Sequence, residues 1–152
     1  MSEHMEDSVN KFREHILELG YSFFQSKVLL TAVKLDVFNI IGETAISACD
    51  VSEKLKSNIN ATEIFLDAMV CSNLLKKDNR MYFNTENGRE IFIKGSNGYI
   101  GDIVFLQDVM WDAWSSLGES VISGNPTRRT NMFQEKRDET RSFITAMHNT
   151  AM

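Results

Sequence analysis

Ile46-Ser47-Ala48-Cys49-Asp50-Val51 and, further along, Ile59-Asn60-Ala61-Thr62-Glu63-Ile64 are two helix starts built to one plan. Each places a polar N-cap, Ser47 or Asn60, with an acid three residues later, Asp50 or Glu63, able to reach back to the cap's N–H. Each also sets an apolar residue before the cap against one at the fourth helical position, Ile46 with Val51 and Ile59 with Ile64. A capping box with a hydrophobic staple satisfies the first orphan N–H groups and fixes the angle at which the chain enters the helix. The second helix is expected to run out at Leu74-Leu75-Lys76-Lys77. Asp78-Asn79 then supply a turn, and Arg80-Met81-Tyr82-Phe83-Asn84 reads as a strand. Two short helices, a turn and a hairpin predict a winged helix-turn-helix, a unit that serves both to read DNA and to pair enzyme subunits.

On the N-terminal side, Val9, Phe12, Ile16 and Leu19 recur at helical spacing and predict an amphipathic helix over 7–19, stopped by Gly20. From Ser22 to Leu35 the apolar residues, among them Phe23, Phe24, Val28 and Leu30, occupy nearly all sides. A helix apolar all round is buried all round, and in a small domain that calls for a partner. Val37, Phe38, Ile40 and Ile41 predict a short helical turn before Gly42, with a minor strand at Ala45-Ile46.

On the C-terminal side, Thr85 caps a short helix carrying Ile91 and Phe92, and Gly95-Ser96-Asn97-Gly98 is a loop. The longest helix is expected over 100–123, with Ile103, Leu106, Met110, Trp114, Leu117 and Val121 on one stripe. Val104, Phe105, Val109 and Trp111 widen that stripe beyond what one core needs, and Gly124-Asn125-Pro126 ends it. A last helix from about 138 through Phe143 and Met147 carries no C-terminal cap before Met152, so the chain is expected to be a piece of a longer protein. The units read as a helix over 1–20, a winged-helix core over 21–95, and a long helix plus the start of a following segment over 96–152.

A chain of 152 residues with 43% hydrophobic residues and one proline fits a mainly α fold with a core of its own. Cys49 and Cys71 lack metal-ligand spacing and are expected to be buried or half-buried thiols of a cytoplasmic protein. No apolar run approaches the roughly 18 residues of a membrane span. The polar, acidic start Met1–Asp7 is unlike a signal peptide.

Nucleic-acid binders carry basic faces because phosphate neutralisation supplies most of their affinity. Here the net charge is −5. The reading positions of the second helix offer Ala61, Thr62, Glu63 and Asp67, where base readers favour Arg, Lys, Asn or Gln. DNA binding is therefore disfavoured.

Catalytic motifs are missing as well. Neither GxGxxG nor GxxxxGK[ST] occurs, nor GxSxG, nor HExxH. His4, His15 and His148 are dispersed, and His15 and His148 read as solvated side chains. The acids Asp50/Glu53 and Glu135/Asp138/Glu139 read as solvated helix faces. No metal site and no complete catalytic constellation is expected.

Several of these stretches, in this order, resemble one family. Ala32-Val33-Lys34-Leu35-Asp36-Val37-Phe38 matches A-x-x-L-x-[IV]-F, and Tyr82-Phe83-Asn84-Thr85-Glu86-Asn87-Gly88 matches Y-x-x-T-x-x-G. Trp114-x-x-Leu117 before Gly124-Asn125-Pro126, and Phe143-x-x-Ala146-Met147, complete the set. From about residue 20 to 150 the chain resembles the N-terminal domain of class I S-adenosylmethionine-dependent small-molecule O-methyltransferases.

The resemblance implies a helical, winged-helix dimerisation domain that interlocks with a second copy, does not bind DNA, and walls the acceptor pocket. It implies that Met147 and Phe143 face a small aromatic acceptor, that Trp111 and Met110 line the same pocket, and that Phe23 and Phe24 reach toward the partner's site. The homodimer would form through helices 22–35 and 100–123, burying on the order of 2,000 Å² or more. The cofactor domain would follow, so no catalytic residue and no cofactor is assigned to this chain; S-adenosylmethionine is expected in the full-length protein. The alternatives are a winged-helix transcription regulator and a free-standing interaction protein.

Overall fold

The computed structural model describes residues 3–126. Its elements are α1 (Glu3–Lys34), α2 (Val37–Ile41), β1 (Ile46–Ser47), α3 (Ala48–Leu55), α4 (Ile59–Cys71), β2 (Leu75–Asp78), β3 (Met81–Asn84), α5 (Glu86–Phe92), α6 (Gly101–Ser115) and α7 (Leu117–Ser123). The fold is mainly α, as expected. Phe143, Met147 and His148 lie outside the described residues.

The first capped start forms as its residues require. The Ser47 hydroxyl accepts from the Asp50 N–H at 3.1 Å and donates to the Asp50 carboxylate at 2.6 Å. Ile46 and Val51, the staple pair, are both buried. The second start is shifted by two residues from the expected frame. Asn58, not Asn60, is the cap: it is extended at φ −72°, ψ 127°, and its side chain accepts from the Ala61 N–H at 3.1 Å. Either asparagine can cap, and burial decides between them. The earlier start turns Thr62 inward with Leu66 and Met69, whereas Ile59 and Ile64 stay exposed. The staple positions are then held by Ser57 and Thr62, whose hydroxyls hydrogen-bond at 2.7 Å.

The hairpin begins earlier than the sequence reading has it. Asn73, at φ 57°, adopts the left-handed conformation that ends α4, so Leu75–Asp78 pairs as β2 instead of finishing the helix. Asn79 and Arg80 have φ 46° and 65°, so Arg80 belongs to a two-residue turn with the hand that a hairpin favours. Opposite them, Asp78 pairs with Met81 and Lys76 with Phe83. The minor strand is present, Ile46 pairing with Tyr82, and the antiparallel sheet has the order β1-β3-β2.

The core sits between α2, α3, α4 and β3, where Phe38, Val51, Leu66, Met69 and Tyr82 are shut off from solvent. Asn84 ties two parts of it together. Its amide donates to the carbonyls of Phe38 and Gly42, both at 2.8 Å, locking α2 and its C-cap onto β3. Gly42 takes φ 66° there, a conformation that suits glycine. Thr85 caps α5 as expected, accepting from the Gly88 N–H at 2.9 Å.

Two helix boundaries differ from expectation. Gly20 does not stop a helix: α1 runs through it as one element of 32 residues. A lone glycine costs a helix only about 1 kcal/mol, and neither proline nor a second glycine stands near it in α1. Conversely, the long helix expected over 100–123 is two. Ser115 turns its hydroxyl onto the Trp111 carbonyl at 2.9 Å, and the Ser116 N–H reaches Ala113 at 3.3 Å, three residues back, instead of Asp112. The i→i−4 ladder breaks there and α7 sets out afresh. Gly124, at φ 69°, ends α7 where the sequence places the stop.

Candidate functional site: the outer faces of α1 and α6

The second half of α1 packs against α6, and one carboxylate fastens the pair. Asp108 on α6 accepts from the ammonium groups of Lys27 at 2.9 Å and Lys34 at 2.8 Å, which lie about two helical turns apart with buried Leu30 between them. Its side chain is only 7% exposed. Burial pushes the Asp108 carboxyl up, but the hydrogen bonds from Lys34 and Lys27 outweigh it and hold it below the usual carboxylate range. The bond to Asp108 correspondingly raises Lys34. Lys27 also lies over the Trp111 ring, 4.4 Å from its centroid.

Of the residues the sequence marks for a pocket, Trp111 is half-buried on this joint, and Met110 and Phe24 are exposed. Phe24 joins an aromatic cluster on α1, its ring 4.0 Å from that of Phe23 and 6.2 Å from Tyr21. Phe143 and Met147 lie outside the described residues. Asp108 and Lys27 carry no motif and were not marked by the sequence reading. Asp108 is one of three aspartates on α6, with Asp102 and Asp112, and nothing in the sequence singles it out.

A cleft of about 210 Å³ opens between α1, α2 and the start of α6, walled by Phe38, Phe92, Tyr99 and Phe105. Its polar groups satisfy one another. Asp36 accepts from Lys94 at 2.9 Å and from Asn39 at 2.8 Å, and Asn39 accepts from the Lys94 backbone N–H at 2.9 Å. Burial, then Asp102 and Asp36, pushes the Tyr99 phenol up to about 12, so it stays protonated at neutral pH. This is a structural joint without a nucleophile paired to a base. None of Met110, Trp111 or Phe24 lines it.

The face a DNA reader would use is also accounted for. Thr62 points into the core instead of outward. Asp67 accepts from Lys77 at 2.6 Å and from the Tyr82 hydroxyl at 2.7 Å, which hold its pKa below the usual range. Glu63 and Ile64 remain exposed, an acid and an apolar residue where phosphates would have to sit. Among the described residues no cluster of His, Cys, Asp or Glu could hold a metal. Cys49 and Cys71 are both exposed, not buried as expected, because each falls on the outer side of its helix.

What sets the molecule apart is apolar surface. Every residue from 5 to 26 is exposed, including Phe12 at 66% and Leu19 at 63%. On α6 and α7, Trp114 is 65% and Ile122 89% exposed. A contiguous apolar face of this kind marks an interaction surface.

Residues 17–92 match the profile of the O-methyltransferase dimerisation domain. The chain is 30% identical to a human probable bifunctional dTTP/UTP pyrophosphatase/methyltransferase protein, over 93% of this chain and 25% of that one. Among solved structures, an O-methyltransferase family protein from Burkholderia thailandensis superposes with a TM-score of 0.77 at 25% identity, over 90% of this chain and 42% of that one. Human N-acetylserotonin methyltransferase, in complex with SAM, has the same fold, with a TM-score of 0.77 at 21% identity over 91% of this chain and 45% of that one. The chain spans between a quarter and a third of the curated relatives it matches. Those relatives are methyltransferases, which sets aside the transcription-regulator alternative.

Proposed function

The chain belongs to the O-methyltransferase dimerisation-domain family, and we propose that it pairs subunits and walls the acceptor pocket of an S-adenosylmethionine-dependent methyltransferase. The observation that carries this reading is the apolar surface of α1, α6 and α7 left bare beside a closed apolar core. In the homodimer, residues 22–35, the C-terminal part of α1, and 100–123, which span α6 and α7, supply the interface. Trp111, Met110 and Phe24, with Phe143 and Met147, contribute to a pocket for a small aromatic acceptor. Trp111 is the best supported of these, since Lys27 holds its ring in place. A chain with net charge −5 and Glu63 on its reading helix is poorly made for nucleic acid. Exposed, unpaired thiols at Cys49 and Cys71 fit a reducing compartment and support a cytoplasmic location. No described helix is long and apolar enough to cross a membrane.

Sedimentation of the 152-residue chain at micromolar concentration should show a dimer; a lone 17.4 kDa species would overturn subunit pairing. Methyl transfer is expected to require further chain, because no glycine-rich turn with a ribose-binding acid stands in this sequence to hold a nucleoside cofactor. Calorimetry with S-adenosylmethionine should give no saturable heat. Micromolar binding would move the cofactor site into this chain.

A further inference from the structure

Asp108 is one carboxylate shared by two ammonium groups, so neither lysine is fully neutralised by it. Asp112, one turn further along α6, also acts on Lys34, but it is exposed and its charge is screened by solvent. Lys27 is held differently. An ammonium carries three N–H donors, and here one goes to Asp108 at 2.9 Å while the side chain stays 43% exposed. The same ammonium lies 4.4 Å from the centroid of the Trp111 ring. Asp108 itself is only 7% exposed and bound on both sides, so it fixes the ammonium in place without facing solvent.

The position of Lys27 along the joint matters. Lys34 shares a cleft with Gly101 and Phe105, near the start of α6, whereas Lys27 meets Trp111. The two helices therefore run antiparallel, and one turn back from Lys27 on α1 corresponds to one turn on from Trp111 on α6. There the joint opens onto rings. Phe23 and Phe24 are 48% and 55% exposed, and Trp114 is 65% exposed. A fixed cation thus stands where a closed contact gives way to exposed aromatic surface.

Such an edge discriminates among flat ligands by charge. Any aromatic ring gains from contact with Trp111 and its neighbours. A neutral ring laid there takes water from the ammonium and returns no acceptor, and a basic one is repelled. A ring bearing a carboxylate offers the spare N–H donors an ionised acceptor, the stronger kind of hydrogen bond. We infer that Lys27 is a specificity-determining residue, favouring aromatic acceptors that carry a carboxylate over their neutral counterparts. This rests on the reading that Trp111 lines the acceptor pocket and goes further by naming the charge of the acceptor.

The test uses the full 152-residue chain with its two tryptophans labelled on the indole nitrogen, the signals being assigned through Trp114→Phe. The probes are 4-hydroxybenzoate and its methyl ester, which share a ring and differ in charge. The acid should shift the Trp111 signal saturably and bind at least about fivefold more tightly than the ester, a gap that shrinks in about 1 M salt. Lys27→Met should bring the acid down to the ester's affinity and leave the ester's unchanged. Lys27→Gln, polar but uncharged, should do the same, and Lys27→Arg should keep the preference; circular dichroism checks that each variant is folded. An ester that binds the unmodified chain as tightly as the acid would overturn the preference and leave the pocket reading standing. If neither probe moves Trp111, the pocket reading fails and the inference with it. Equal weakening of acid and ester in both neutral variants would make Lys27 a prop for the Trp111 ring and overturn its role in specificity.

Discussion

The helices and sheet around Phe38 and the first half of α1 draw on the same kinds of residue and end in opposite states. Around Phe38, the apolar side chains of α2, α3, α4 and β3 find one another, and Asn84, Thr62 and Asp67 find partners of their own. Along residues 5–26, the arm of α1, apolar side chains meet only neighbours on their own helix, as Tyr21, Phe23 and Phe24 do, and none is buried. The difference is not hydrophobicity but topology. The core elements are short and reverse direction at Gly42, Asn73 and Asn79, so each face meets another. The arm is one uninterrupted helix that outruns the domain. A face that the described residues leave bare is open to another segment or another chain.

The largest effect expected from this contrast is in the core. Phe38 is 1% exposed, and its ring stacks on Phe92 with centroids 4.3 Å apart. Phe38→Ala removes that packing and leaves a cavity, so a loss of about 3–5 kcal/mol is expected in urea unfolding. Such a loss is a large share of a small domain's stability of about 5–15 kcal/mol. A loss under about 1 kcal/mol would mean that the core is not where the burial pattern puts it.

A smaller effect is expected where the two regions join. Asp108→Asn leaves no buried charge and frees two half-exposed lysines into water, so the loss should be only about 1–2 kcal/mol. Its pH dependence separates it from a packing defect. The Asp108 carboxyl is lowered in the folded chain, so the ion pair's contribution is complete above the unfolded carboxylate value of about 4. It is lost as the pH falls through the lower folded value. The wild-type chain and Asp108→Asn should therefore differ at pH 7 and converge well below pH 4. A difference that persists undiminished in acid would assign the effect to shape instead of charge.

The joint is also where reading the sequence stops short. Periodicity and capping chemistry identify what a short segment can settle alone: the Ser47 and Thr85 caps, the turn before Gly42 and the stop at Gly124. They do not settle choices that packing makes. Asn58 and Asn60 are equivalent as caps until the core selects the frame that buries Thr62. Leu75 reads as the last turn of a helix until its partner strand is known. Asp108 resembles any acid on an amphipathic helix until Lys27 and Lys34 arrive from 81 and 74 residues away. The apolar faces of 22–35 and 100–123 call for a partner, and so does the match of residues 17–92 to a dimerisation domain. What they cannot convey is that the first stripe runs on through Gly20 to Met5, since a glycine punctuates a sequence more strongly than it breaks a well-supported helix.

Gly20 therefore gives the smallest and most discriminating test. It lies in mid-helix, exposed, and an added Cβ meets nothing within 4 Å. Gly20→Ala should stabilise the helix locally by about 0.5–1 kcal/mol, because alanine loses less backbone entropy and no contact opposes it. Where that gain shows depends on whether the arm shares the core's cooperativity. No residue from 5 to 26 is buried, so in dilute monomer the arm should open without disturbing Phe38 or Leu66. Amide exchange along 5–23 is expected to slow about two- to fivefold, with the unfolding midpoint of the core unmoved. A midpoint that rises in dilute monomer would show the arm and the core melting as one unit, and the contrast between them would be one of exposure alone.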